Sequence, residues 1–181
     1  HSDRPRQITM PTYKGNRGNL LQHWVLSELV ACISRESRHS ERLGFVDTHA
    51  MSPYAVREPG RAAADFDLVA ARLPGAGSVY ELAWNDLRRG RCEYPSSAAL
   101  VRHLWRGPLH LLLCERDQAT ADEVDSWYGG VADAQLELHR DDWRTRFESV
   151  LPQGYSQYLV SCDPYMFIRQ NPTDQANPGN M

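Results

Sequence analysis

At 181 residues the chain is long enough for one domain with a proper core, and length alone does not ask for two. Hydrophobic residues make up 41% and charged residues 24%, a globular balance, and no apolar run approaches the roughly 20 residues that span a bilayer, so no membrane partner is expected. A formal charge of −3 argues against nucleic-acid binding by bulk electrostatics and leaves that role to a local basic patch.

The opening His1-Ser2-Asp3-Arg4-Pro5-Arg6 lacks the apolar core of a signal peptide, and residues 1–13 read as an arm. Asn19 is the expected cap of a helix from Leu20 to about Ser34. Leu21, Val25, Leu29 and Cys32 fall on one stripe of that helix, with His23, Ser27 and Glu28 on another. Leu43–Val46 is a short β-compatible run that stops at Asp47. Residues 61–73 read as a helix ended by Pro74-Gly75. Ser78 and Glu81 form a capping box for the next helix, and another starts near Ser97 and stops at Gly107-Pro108.

Leu109–Cys114 is nearly all apolar, as a strand covered on both faces should be, and Glu115 follows it. Thr120 is the expected cap of a helix that stops at Gly129-Gly130. Leu136–His139 alternates as a strand, with Asp141 just beyond, and Trp143–Val150 reads as a short helix. Tyr158–Cys162 is the fourth strand and stops at Asp163; Asn171–Met181 reads as a loop. Strands alternating with helices predict an α/β fold with a mostly parallel sheet. Cys32, Cys92, Cys114 and Cys162 form no CxxC pair, so no metal site is expected. They read as buried, reduced thiols of a cytoplasmic protein.

Each predicted strand is followed closely by a carboxylate: Asp47, Glu115, Asp141 and Asp163. Ligands of open parallel sheets bind beyond the carboxyl ends of the strands. Acids there accept hydrogen bonds from ribose hydroxyls, an adenine amine or an amino-acid ammonium. A single acid after a strand is more often a helix cap or a solvated loop residue. Four in series are the stronger signal. Arg88, Arg89, Arg91, Arg102 and Arg106 lie between the first two strands, as either a phosphate-facing patch or a solvated basic face.

Several short motifs stand in one order. Gly15-Asn16 followed by Leu21-Gln22-His23 resembles the amino-terminal signature of the bacterial large-subunit rRNA adenine-N6 methyltransferases. Asp47-Thr48-His49-Ala50 is similar to that family's loop after its first strand, and Tyr94-Pro95-Ser96-Ser97 to its turn before a helix. Asp163-Pro164-Tyr165 stands where the family has its Asp-Pro-Pro-Tyr catalytic motif. The resemblance implies a Rossmann-like S-adenosylmethionine-dependent methyltransferase fold over residues 1–181, with a helical insertion at about 57–95. The fold carries more strands than the four read here, so the domain reads as incomplete at its carboxyl end.

By the same resemblance, S-adenosylmethionine is the cofactor and RNA the partner. Glu115 would hold the cofactor's ribose and Asp141 its adenine. Gln22, His23 and the loop Asp47, Thr48, His49 and Ala50 would hold its methionine end. Asp163 and Pro164 would engage the target amine, with Tyr165 stacked on the base. Three positions depart from the family. Met51-Ser52-Pro53 replaces a glycine turn, which is expected to crowd the methionine end. Gln22 replaces a basic residue, and Tyr165-Met166 replaces the second proline and the aromatic. A second reading therefore stands beside the enzyme: a catalytically silent relative that uses the fold to bind a nucleotide, RNA or protein.

Overall fold

The computed structural model describes residues 12–13, 17–38, 41–57, 77–88, 94–132, 134–143, 155 and 157–162. In chain order the elements are β1 (Thr12–Tyr13), α1 (Arg17–Glu36), β2 (Leu43–Asp47), β3 (Tyr54–Arg57), α2 (Val79–Arg88), β4 (Tyr94–Pro95), α3 (Ser97–Leu104), β5 (Leu109–Cys114), α4 (Gln118–Tyr128), β6 (Ala134–His139) and β7 (Gln157–Ser161). Four strands form one all-parallel sheet in the order β6-β5-β2-β7. This is a Rossmann-like α/β fold.

The register explains the burial. Phe45 sits opposite both Leu111 and Leu159, and Leu111 opposite Leu136, so these side chains share one face. Leu26 and Val30 of α1, Val101 of α3, and Val124 and Tyr128 of α4 pack on that face in a single cluster. β2 and β5 are buried along their whole length, as interior parallel strands should be. The other face carries Val46 and Leu112 in contact. It also buries His110, an imidazole in an otherwise apolar strand. His110 Nδ1 meets the Tyr155 hydroxyl, and its Nε2 lies 3.5 Å from Glu137. The Tyr155 hydroxyl is the hydrogen-bond partner that makes this buried imidazole tolerable, while Glu137 stands near Nε2 without bonding it.

Helix α1 does not bury its Leu21–Cys32 stripe. Leu21, Val25 and Leu29 are exposed and Cys32 with them, while Leu20, His23, Leu26, Ser27 and Val30 are buried. The polar members of the buried face are partnered. His23 Nε2 lies 3.0 Å from Ser97 Oγ, and Ser27 Oγ donates to the His23 carbonyl at 2.8 Å. Leu20, Leu26 and Val30 supply the apolar area between them. The burial cost of His23 and Ser27 is thereby small, and an equal set of two leucines and a valine is left outside.

Helix boundaries moved for local reasons. α1 starts at Arg17, so Asn19 lies inside it rather than capping it. α4 is capped by Asp117, whose Oδ2 accepts the Thr120 N–H and the Thr120 hydroxyl at 2.9 Å each. Thr120 is therefore the recipient of the cap and not its source. Gly130, at φ +84°, closes the end of this helix in a conformation that favours glycine. Ser96 caps α3 by accepting the Ala99 N–H at 3.2 Å. The insertion is not purely helical: β3 pairs with both β1 and β4 in a three-stranded sheet. The expected helices at 61–73 and 143–150 lie outside the described residues, Trp143 excepted. Among the described residues, no helix is long and apolar enough to cross a membrane.

Candidate functional site at the carboxyl ends of the strands

The chain enters the main sheet at β2, steps outward to β5 and β6, then returns to the other side of β2 as β7. The reversal falls between β2 and β7. Such a switch point opens a crevice at the carboxyl ends of the strands, where ligands of this fold class bind. Asp47 is the last residue of β2, Glu115 directly follows β5, and Asp141 stands just past β6. Three of the acids read from sequence are thereby brought to one end of three adjacent strands.

Backbone hydrogen bonds lock the loops above the sheet. Thr48 N–H donates to the Ser161 carbonyl at 3.1 Å, and Ala50 N–H to the Cys114 carbonyl at 2.9 Å. Glu115 N–H reaches the His139 carbonyl at 2.9 Å. Asp47 turns its Oδ1 back to accept the His49 N–H at 3.1 Å, an Asx turn that sets the loop's exit. The Thr48 hydroxyl and His49 Nδ1 are 2.8 Å apart, and the His49 ring stands edge-on to Trp143 at 6.0 Å. Between these loops lies a cavity of about 210 Å³ lined by Thr48, His49, Cys114, Glu115, Arg116, Asp141, Asp142 and Trp143.

The electrostatics of this cavity are acidic. Burial pushes the Cys114 thiol up to about 11, helped by the charges of Asp47, Glu137, Asp141 and Asp142. Burial also holds the Glu115 carboxyl above its ordinary value, against the Asp117 N–H that its Oε1 accepts at 2.7 Å. A thiol that resists ionisation is no nucleophile at neutral pH. The same field favours a ligand that brings positive charge or hydrogen-bond donors, and Glu115 would ionise more readily beside one.

Of the residues singled out in the sequence, Thr48, His49, Glu115 and Asp141 line the cavity together. Asp47 and Ala50 are buried in the loop that shapes it. Gln22 does not line it; its Nε2 donates to Ser161 Oγ at 2.9 Å, at the end of β7. His23 is 1% exposed and faces Ser97 between α1 and α3. Asp163, Pro164 and Tyr165 lie outside the described residues. Met51 packs with Leu20, Tyr80 and Leu100 in a second core, and does not line the cavity as the crowding argument expected. Cys114, Arg116, Asp142 and Trp143 were not anticipated. Cys114 and Arg116 flank Glu115, and Asp142 and Trp143 follow Asp141, so adjacency to the two acids was the available signal.

His23 gives a pH signature. Burial lowers its value from 6.5 to about 4, so it is neutral in the folded protein and protonates more readily unfolded. Its contribution to stability is complete above 6.5 and is lost as pH falls toward 4. We expect wild type to lose about 3 kcal/mol more than His23→Gln between neutral pH and pH 4. Urea unfolding of both proteins across that range measures it, and parallel curves would refute the assignment.

No family model and no curated protein matches the chain. Among solved structures, a Legionella pneumophila protein of the family DUF519 shares the fold, with a TM-score of 0.60 and 16% sequence identity. The match covers 82% of this chain and 56% of that one, so the chain spans little more than half its neighbour's length. At that identity the likeness is one of fold.

Proposed function

We propose that the chain transfers a methyl group from S-adenosylmethionine to a nucleic-acid base, the N6 amine of adenine in RNA. The observation that carries this reading is the meeting of Asp47, Glu115 and Asp141 at the carboxyl ends of β2, β5 and β6, beside the strand-order reversal. The ordered motifs from Gly15 to Tyr165 supply the substrate class, by resemblance. Glu115 and Asp141 fit ribose hydroxyls and an adenine amine, because both are acceptors on the cavity wall. The acidic field suits a ligand bearing a sulfonium and an ammonium. The bound cofactor supplies an electrophilic methyl. The protein's share is to orient the ligand, exclude water and hold the target amine in line, so positioning accounts for much of the rate.

One observation favours the silent binding module. The cavity of about 210 Å³ is below the several hundred Å³ usual for a small-molecule site. Calorimetry with S-adenosylhomocysteine separates the two readings. Wild type should bind it saturably, and Glu115→Ala or Asp141→Ala should weaken binding at least about tenfold, the loss of a hydrogen bond to a charged group. Equal affinity in wild type and both variants would dismiss the cofactor assignment. Binding without methyl transfer to total RNA would favour the module.

A further inference from the structure

A second, larger cavity lies at the opposite end of the sheet. It measures about 690 Å³ and is lined by Arg42, Arg102, Trp105, Arg106, Pro108 and Gln135, among others. β5 runs from Leu109 in this cavity to Cys114 in the candidate site, a span of about 17 Å, so the two are separate. Three arginines from two distinct parts of the chain line it. Arg42 comes from the segment before β2, Arg102 from the last turn of α3, and Arg106 from the turn after it. Among the described residues, none of the three arginines is held in an ion pair with a carboxylate, and none that lines the cavity is acidic.

Two of the guanidiniums are oriented by aromatic rings. Arg42 lies over Tyr155 at 5.8 Å, and Arg102 over Tyr128 at 5.9 Å. A cation–π contact of this kind is not a hydrogen bond, so it does not use up the guanidinium's N–H donors. Those donors form a fork that matches phosphate oxygens two at a time. The placement of Arg102 near the end of α3 also suits the helix dipole, but that does not account for Arg42. Trp105, Pro108 and Leu109 give the same cavity an apolar wall.

From this arrangement we infer a binding site for a small phosphorylated ligand with two or more phosphates, of the size of a nucleoside diphosphate. The volume falls within the range of small-molecule sites, and three arginines line the one concavity. A nucleic-acid backbone would instead be tracked by a basic strip, and the chain's net charge of −3 does not favour one. The inference does not rest on the methyl-transfer reading.

The test is calorimetry on the whole chain with inorganic pyrophosphate and with ADP at fixed ionic strength. Both probes should bind saturably. Arg42→Ala, Arg102→Ala and Arg106→Ala should each weaken binding at least about tenfold. Arg35→Ala, an exposed arginine of α1 in neither cavity, makes the same change in charge and should bind as wild type does. Arg42→Lys and Arg102→Lys keep the charge, lose the fork and guard against misfolding; they should weaken binding several-fold. Three results would overturn the site: no saturable heat with either probe, equal affinity in wild type and the triple alanine variant, or arginine-dependent binding of a short single-stranded RNA without pyrophosphate binding.

Discussion

Phe45→Ala should lower the unfolding free energy by about 3–5 kcal/mol, measured as a shift of the urea midpoint at constant slope. Phe45 is fully buried at the centre of β2, flanked in register by Leu111 of β5 and Leu159 of β7. Above it pack Leu26 and Val30 of α1 and Val101 of α3. The void left by the ring is enclosed by strands on both sides, so it cannot collapse without breaking ladder hydrogen bonds. A domain of this size has about 5–15 kcal/mol in total, and one substitution would remove a large part of it. The same truncation at Val160, 44% exposed on β7, removes little buried area and should cost well under about 1 kcal/mol. Equal shifts at the two positions would contradict the layer assignment.

The strands and their terminal acids were legible because they are short apolar runs, each stopped by a polar residue. Leu43–Val46 and Leu109–Cys114 could be read almost to the residue. The inward face of α1 was not legible. Leu21, Val25 and Leu29 match Leu20, Leu26 and Val30 residue type for residue type, so an apolar count does not choose between them; burial follows the second set, with His23 and Ser27 between them. Those two polar residues become acceptable only when Ser97 stands opposite His23, and periodicity contains no such partner. β3 and β4 were missed for another reason. Each is short, β4 holds a proline, and both exist through pairing with each other rather than through local pattern. In the candidate site, Glu115 and Asp141 were found because they follow strands. Trp143 was read only as the start of a short helix, and the fold places it edge-on to His49.

Asp163→Ala should reduce methyl transfer by on the order of 100-fold while leaving S-adenosylhomocysteine binding unchanged. The residue follows β7, whose last position, Ser161, accepts the Thr48 N–H through its carbonyl and the Gln22 amide through its hydroxyl. Those bonds fix the exit of β7 beside the loop of β2, on the side of the strand-order reversal away from Glu115 and Asp141. An adenine amine is a poor nucleophile because its lone pair is delocalised into the ring. A carboxylate and the Pro164 carbonyl that accept its two N–H groups would favour the pyramidal nitrogen that attacks. Removing the carboxylate costs that alignment and touches none of the acids assigned to the cofactor, so rate and affinity should separate. Tyr165→Ala should instead raise KM for RNA, since base stacking is worth about 1–3 kcal/mol. Single-turnover assays on total RNA, with folding checked by circular dichroism, decide the matter. Parallel loss of cofactor affinity in Asp163→Ala would mean that the carboxylate holds the ligand and not the amine. A folded wild type that binds cofactor and methylates no RNA would favour the binding module, with Met51-Ser52-Pro53 and Tyr165-Met166 as the departures from the motifs it resembles.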